Sequence, residues 1–235
     1  MTQKQDVLVN GKINGTLLRE TILGGQDGLV NVLGVVLGVA AATTDQKIIL
    51  ISGLAATCAE SISMGAVAYT STKAAQDFYK SMLKKEEQEI KEDPHLEKEE
   101  ILSIYKKKGF KGPLLTSLVQ HITSNKKLWL ETMMTEELRL FPDEYQHPLK
   151  SALVVGFSSI AGSCIPLVPF FLTAGKSAML IAFGLSAFFL FIGGSIKAKL
   201  TIGDWKKSGI EMVLIGLASA LAGFVIGTLL GATPT

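Results

Sequence analysis

Residues 48–70 read IILISGLAATCAESISMGAVAYT, an apolar run of membrane-helix length with Glu60 and Met64 one helical turn apart inside it. Residues 73–93 continue as KAAQDFYKSMLKKEEQEIKED, without Gly or Pro, so the two stretches read as one helix that leaves a bilayer and extends into water. A carboxylate and a thioether within a span, joined to a carboxylate-rich helix, outline a path for a cation.

The rest of the chain supports a membrane setting. Hydrophobic residues make up 48% of the 235 positions, and they are clustered rather than spread. Spans are expected near 26–43, 48–71, 151–172, 177–196 and 209–231, each able to cross a hydrocarbon core of roughly 30 Å as a helix. The expected fold class is therefore all-α, a polytopic membrane protein with five transmembrane helices. The net charge of +2 and the absence of a basic run interleaved with aromatics argue against nucleic acid as a partner. Cys58 and Cys164 both fall in spans, where packing is the usual role. Residues 1–21 lack the apolar core of a signal peptide, so insertion is expected through the first span itself.

Taken in order, residues 13–23 (INGTLLRETIL) read as a short interfacial helix capped by Asn14 or Thr16, or as a simple tether. The first span contains Asp27 and Asn31, and Gly34 and Gly38 at a spacing that favours close helix approach. The turn TTDQK makes the first two spans antiparallel neighbours. The insert 73–150 holds 14 Asp/Glu and 14 Lys/Arg, a solvated helical domain. Within it Asp93 and Pro94 start a helix running to about 108, Gly112 and Pro113 start another, and Asn125 starts a last one over KKLWLETMMTEELRL. Pro166 and Pro169 predict a kink in the third span. Gly223, Gly227 and Gly231 mark a face for tight packing, within the chain or against a second copy.

Short loops set the orientation. Loops 44–47 and 173–176 hold one lysine each, whereas 197–207 holds Lys197, Lys199, Lys206 and Lys207. The 197–207 side is expected to be cytoplasmic, with the N-terminus and the 73–150 domain on the same side. The resulting organisation is an N-terminal cytoplasmic or interfacial segment 1–23, spans one and two in 24–72, a cytoplasmic helical metal-binding domain 73–150, and spans three to five in 151–235.

Ionisable groups inside spans are costly and usually face a cavity or a partner. Asp27 and Glu60 qualify, and no Lys or Arg lies at a similar depth, so a carboxyl there exchanges a proton for a cation. Met64 adds a soft donor. In the solvated domain Glu86 and Glu89 are three apart on one helix, and Glu97 and Glu100 repeat that spacing on the next. Such Glu-rich helices are commonly plain solvated surfaces. Met133, Met134 and Glu137 on a third helix point instead to a metal site, because carboxylates with thioethers suit Fe²⁺ better than Ca²⁺ or Mg²⁺. His95, His121 and His147 lack ligand spacing, and no nucleophile motif, phosphate loop or zinc signature is present, so an enzyme is not expected.

At these residues the chain resembles the vacuolar iron transporter (VIT) family. The matching segments are QDGLVNVLGVVLGVAAA (26–42), AESISMGAVAY (59–69), EEQEIKEDPHLEKEEI (86–101) and LWLETMMTEEL (128–138), within the five-span layout. The resemblance implies a homodimer that moves Fe²⁺, and often Mn²⁺, out of the cytosol in exchange for protons. It implies a pathway at the dimer interface with Asp27, Glu60 and Met64 as membrane ligands. It also implies a cytoplasmic metal-collecting site made of Glu86, Glu89, Glu97, Glu100, Met133, Met134 and Glu137. Two departures stand out: Gln26 where the family commonly has Ser, and Arg139, Leu140, Phe141 and Pro142 after Leu138, so no ligand beyond Glu137 is carried over.

The leading expectation is a proton-coupled exporter of Fe²⁺, with Mn²⁺, Co²⁺ and Zn²⁺ as further cargo and no resident cofactor. The competing readings are a membrane-anchored metal sensor or scaffold without transport, and a ferroxidase-like enzyme, which the lack of Glu-x-x-His pairs disfavours. The membrane is the plasma membrane in a prokaryote or the vacuolar membrane in a eukaryote.

Overall fold

The structure, a computed structural model, describes residues 15–141, 147–200 and 203–231. Every regular element among the described residues is helical: α1 (Gly15–Ala42), α2 (Gln46–Glu92), α3 (Pro94–Lys107), α4 (Gly112–Ser124), α5 (Lys126–Thr132) leading into a π-helical turn (Met133–Glu137), α6 (Pro148–Leu172), α7 (Gly175–Leu200) and α8 (Trp205–Gly231). Five of them, α1, α2, α6, α7 and α8, are long and apolar enough to cross a membrane. The chain divides into two compact units, Met1–Tyr69 with Leu149–Thr235, and Thr70–Pro148. Helix α2 contributes residues to both.

In the apolar unit, α1 lies at the centre. Its Val32, Leu33, Val36 and Leu37 pack with Leu167 and Phe170 of α6 and with Ala178 and Ala182 of α7. Glycine lets the backbones close in. A Cβ at Gly223 would strike the backbone of Gly34, one at Gly227 that of Gly38, and one at Gly28 that of Ser159. Two of the fifth span's glycines therefore pack against the first span of the same chain, and the packing of Gly231 lies outside the described residues. The outer faces stay apolar, with Ile62, Phe157, Leu180 and Leu214 among the side chains most open to the surroundings.

One expectation changes here. Residues 15–23 are not a separate interfacial helix but the first turns of α1, which runs through Gly24 and Gly25; Asn14 lies outside the described residues. Gly24 does not break the helix because its missing side chain is used for approach, a Cβ there falling on the Val155 carbonyl. The third span, with its two prolines, remains one helix from Pro148 to Leu172. The Gln46 amide donates to the carbonyls of Phe170 and Thr173 at its end, satisfying terminal acceptors.

The second unit is built from the end of α2, α3, α4, α5 and the π turn. Asp93 caps α3, its Oδ1 accepting from Leu96 N at 3.1 Å, with Pro94 in the first turn, where a missing N–H costs nothing. Gly109, at φ +99°, lies in the connection to α4, in the left-handed region that glycine adopts freely. Asn125 Oδ1 accepts from Lys127 N and Leu128 N to start α5. The core joins Ile90, Ile101, Leu115, Val119, Trp129 and Met133. The last helix is shorter than the expected 126–140. It widens after Thr132 into the π turn, Leu138 N bonding Met133 O at 3.1 Å, and stops before Arg139, which sits at φ +56°. An L-residue in that region cannot continue a right-handed helix, and the residue preceding Pro142 is steered away from helix too.

Candidate metal centre

Two groups of carboxylates stand out, one in each unit. In the apolar unit, Asp27 and Asn31 are one turn apart on α1, so both side chains point the same way. Asn31 Nδ2 donates to Glu60 Oε1 of α2 at 2.5 Å and lies 3.5 Å from Asp27 Oδ1. One neutral amide thus bridges two carboxylates. Neither α1 between 20 and 42 nor α2 between 48 and 72 contains a Lys or Arg. Asp27 and Glu60 are half-buried and Asn31 is exposed, at the edge of an open groove of about 490 Å³ that also touches Gly34, Gly38, Ser219 and Gly223. Met64 lies half-buried one turn beyond Glu60. The hydroxyls of Ser61 and Ser159, 3.3 Å apart, hold α2 to α6 just beside the pair.

In the second unit, one oxygen each of Glu86 on α2, Glu97 on α3 and Glu137 in the π turn lie within 4.8 Å of one another. Glu86 and Glu97 are only 3% and 5% exposed, and Glu86 Oε1 and Glu97 Oε2 have no hydrogen-bond partner. Buried acceptors of this kind are costly unless something positive, a proton or a metal, meets them. Burial pushes the Glu86 carboxyl up to about 8, helped by its hydrogen bond to Glu97 and by the charges of Glu137, Glu97 and Glu89. Burial likewise raises Glu137 to about 7, with Glu100, Glu97 and Glu89 adding repulsion. Glu97 is raised by burial too, although the Glu86 hydrogen bond opposes this. The cluster therefore holds protons to a higher pH than free glutamates do.

The remaining expected ligands divide. Glu89 and Glu100 are half-buried and act on the cluster through their charge, Glu100 also by a hydrogen bond to Glu137, while Glu89 pairs with Lys85 at 3.2 Å. Met134 is fully buried in the turn that carries Glu137, and Met133 belongs to the apolar core. The π turn itself has a positional consequence. An i to i+5 bond inserts one residue into the helix and rotates the residues after it, so Met133 and Met134 point inward while Glu137 swings to the carboxylates.

The profile of the VIT family matches residues 18–228, nearly all of the described chain. The chain belongs to the VIT family. Among its relatives, vacuolar iron transporter 1 of Tulipa gesneriana is 33% identical over 208 residues, covering 88% of this chain and 84% of that protein. Vacuolar iron transporter 1 of Oryza sativa subsp. japonica is 32% identical over 211 residues, with 89% and 84% covered. The vacuolar iron transporter of Plasmodium falciparum is 31% identical over 231 residues, with 94% and 85% covered. Both carboxylate groups lie inside the segment that carries the VIT match.

Sequence reading passed over Asn31, the amide that reaches both carboxylates in this VIT chain. Its signal was present: an amide four residues after Asp27 in an apolar helix has the same need of a partner as the acid. The π turn had no comparable signal, since MMTEE has ordinary helix-forming composition.

Proposed function

We propose that this chain is a transporter that moves Fe²⁺ out of the cytosol in exchange for protons, with Mn²⁺ and other divalent transition metals as further cargo. The observation that carries it is the Asp27–Asn31–Glu60 constellation in the apolar unit, polar groups where a merely anchoring helix has no use for them. The relatives' names supply the metal. A metal entering between the two carboxylates replaces the amide N–H that now links them and releases any proton they hold. Asn31 then turns its carbonyl oxygen to the ion or remains a donor to the free carboxylate oxygen. Met64 contributes a soft donor that favours Fe²⁺ over Ca²⁺ or Mg²⁺.

Exposed polar groups on a face that meets lipid call for a cover, and a second copy of the chain supplies one, placing the pathway between two protomers. The unit 70–148 lies on the cytoplasmic side in this reading, as does the N-terminus, and its Glu86, Glu97 and Glu137 cluster gathers metal before transport. Glu89 and Glu100 raise the local negative field, and Met134 is the thioether placed to join the carboxylates.

The experiment is anaerobic Fe²⁺ uptake into proteoliposomes that also report internal pH, with wild type beside Glu60→Gln. Metal entry coupled to proton movement that vanishes in Glu60→Gln supports exchange at the membrane carboxylate. Metal binding without entry moves the function to the second unit and makes the chain a sensor.

A further inference from the structure

We infer that the apolar unit holds one anionic phospholipid, its acyl chain inside the bundle and its headgroup on the lysines where α7 ends and α8 begins. A cavity of about 350 Å³ lies between α1, α6, α7 and α8, walled by Leu18, Ile22, Leu29, Ile165, Ile196 and Met212. Gly25, Gly162 and Gly193 line it as well. Gly25 and Gly162 bring α1 and α6 into backbone contact, whereas a Cβ at Gly193 would meet only the tip of Met212, at 3.5 Å. From Leu18 to Leu29 the helix rises roughly 16 Å at about 1.5 Å per residue, about the depth of one leaflet of a hydrocarbon core about 30 Å thick. A slot of that depth, apolar but for Thr21, Gln26 and Ser158, takes a hydrocarbon chain.

Charge at the mouth selects which lipid owns the chain. At this end α1 carries Arg19, α6 Lys150, α7 Lys197 and Lys199, and α8 Lys206 and Lys207. Against them stand Glu20, Asp204 and Glu211, and Asp204 is occupied as the cap of α8, accepting from Lys206 N and Lys207 N. Among the described residues the opposite end has only Lys47 and Lys176, with Asp45. The register joins the two features. Lys197 is four residues beyond Gly193 and Lys199 three beyond Ile196, so the cavity-lining face of α7 continues outward into cations. Trp205 is 43% exposed beside them, with the Lys206 ammonium 5.4 Å from its ring, a pairing suited to the headgroup level. A phosphodiester with net negative charge gains from all of these groups. A zwitterionic headgroup brings its own cation among the lysines and loses that gain.

The test uses the full chain in neutral detergent with equal amounts of phosphatidylglycerol and phosphatidylcholine, each with a photoreactive acyl chain. Native mass spectrometry is expected to retain one phosphatidylglycerol with a preference of about tenfold or more. Peptide mapping should place the cross-links on residues 18–29 and 189–196. Equal retention of phosphatidylcholine, or cross-links only on the outer faces, overturns the inference without any variant. Replacing Lys199, Lys206 and Lys207 together by Gln should erase the preference yet leave the cross-link positions, and Gly193→Leu should lower labelling at both segments. Labelling unchanged by a folded Gly193→Leu protein overturns the cavity's part.

Discussion

The two carboxylate groups of this chain use the same functional group under opposite conditions. In the apolar unit Asp27 and Glu60 lie within hydrogen-bond reach of one another and of the Asn31 amide, which also lines an open groove. In the second unit Glu86, Glu97 and Glu137 crowd within 4.8 Å, two of them buried. The first arrangement leaves room to accept and release an ion; the second stores repulsion that an ion relieves. In the proposed function the first serves passage and the second capture, with the Asn31 amide tempering the repulsion between Asp27 and Glu60.

That contrast breaks most visibly at Glu60. Glu60→Gln keeps the shape and removes the charge, so Fe²⁺ transport is expected to fall to the liposome background while metal binding by the 70–148 cluster keeps its wild-type affinity. Equal loss of both would merge the two sites into one. A step smaller, Asn31→Ala removes a group that orients the carboxylates without replacing them, and a loss of about 10–100-fold in transport at limiting Fe²⁺ is expected. Asn31→Asp adds a third acid at the same place, and its transport should depend on pH more steeply than that of wild type.

The capture site sharpens through pH. Glu86 at about 8 and Glu137 at about 7 hold protons in the folded, metal-free protein where ordinary carboxyls would not. Metal binding must displace them, so affinity is expected to rise with pH by up to about tenfold per unit for each proton, levelling above about pH 8. Calorimetry in buffers of different ionisation enthalpy counts those protons directly. The sign for stability is the reverse. Because the folded state binds a proton that the unfolded state has already lost above about 4.5, metal-free stability falls as pH rises from there to about 8. A lower Tm at pH 8 than at pH 6 is expected in wild type, with a smaller difference in Glu86→Gln.

Much of this was legible in the sequence, and the illegible parts have physical causes. Uninterrupted apolar length gives the spans, because a bilayer admits few other ways to satisfy a backbone. Asp93 with Pro94, and Asn125, mark helix starts through local hydrogen bonds, which depend on neighbours in sequence alone. The two Glu-x-x-Glu pairs were visible as spacing, but their convergence with Glu137 depends on the packing of Ile90, Ile101 and Trp129. Residues 13–23 read as separate from the first span, yet from Gly15 the helix runs on through Gly24, whose missing side chain lets α6 approach closely. The π turn is a tertiary product, with Met133 anchored in the core while Lys108 pairs with Glu136.

The smallest expected effect separates the two thioethers. Met133 and Met134 are both sealed from solvent, 0% and 1% exposed, so burial does not distinguish a ligand from a filler. Packing does: Met133 is surrounded by Ile90, Ile101 and Trp129, whereas Met134 falls outside that cluster on the turn that carries Glu137. Leucine preserves most of methionine's volume, at a cost usually below about 1.5 kcal/mol, but has no sulfur lone pair. Met133→Leu should therefore leave Fe²⁺ affinity within about twofold of wild type, and Met134→Leu should lower it several-fold while leaving Mg²⁺, a hard ion indifferent to sulfur, unchanged. The same loss in both variants would mean that the core residue also turns its sulfur to the metal, and the capture site would then be softer than its three carboxylates alone make it.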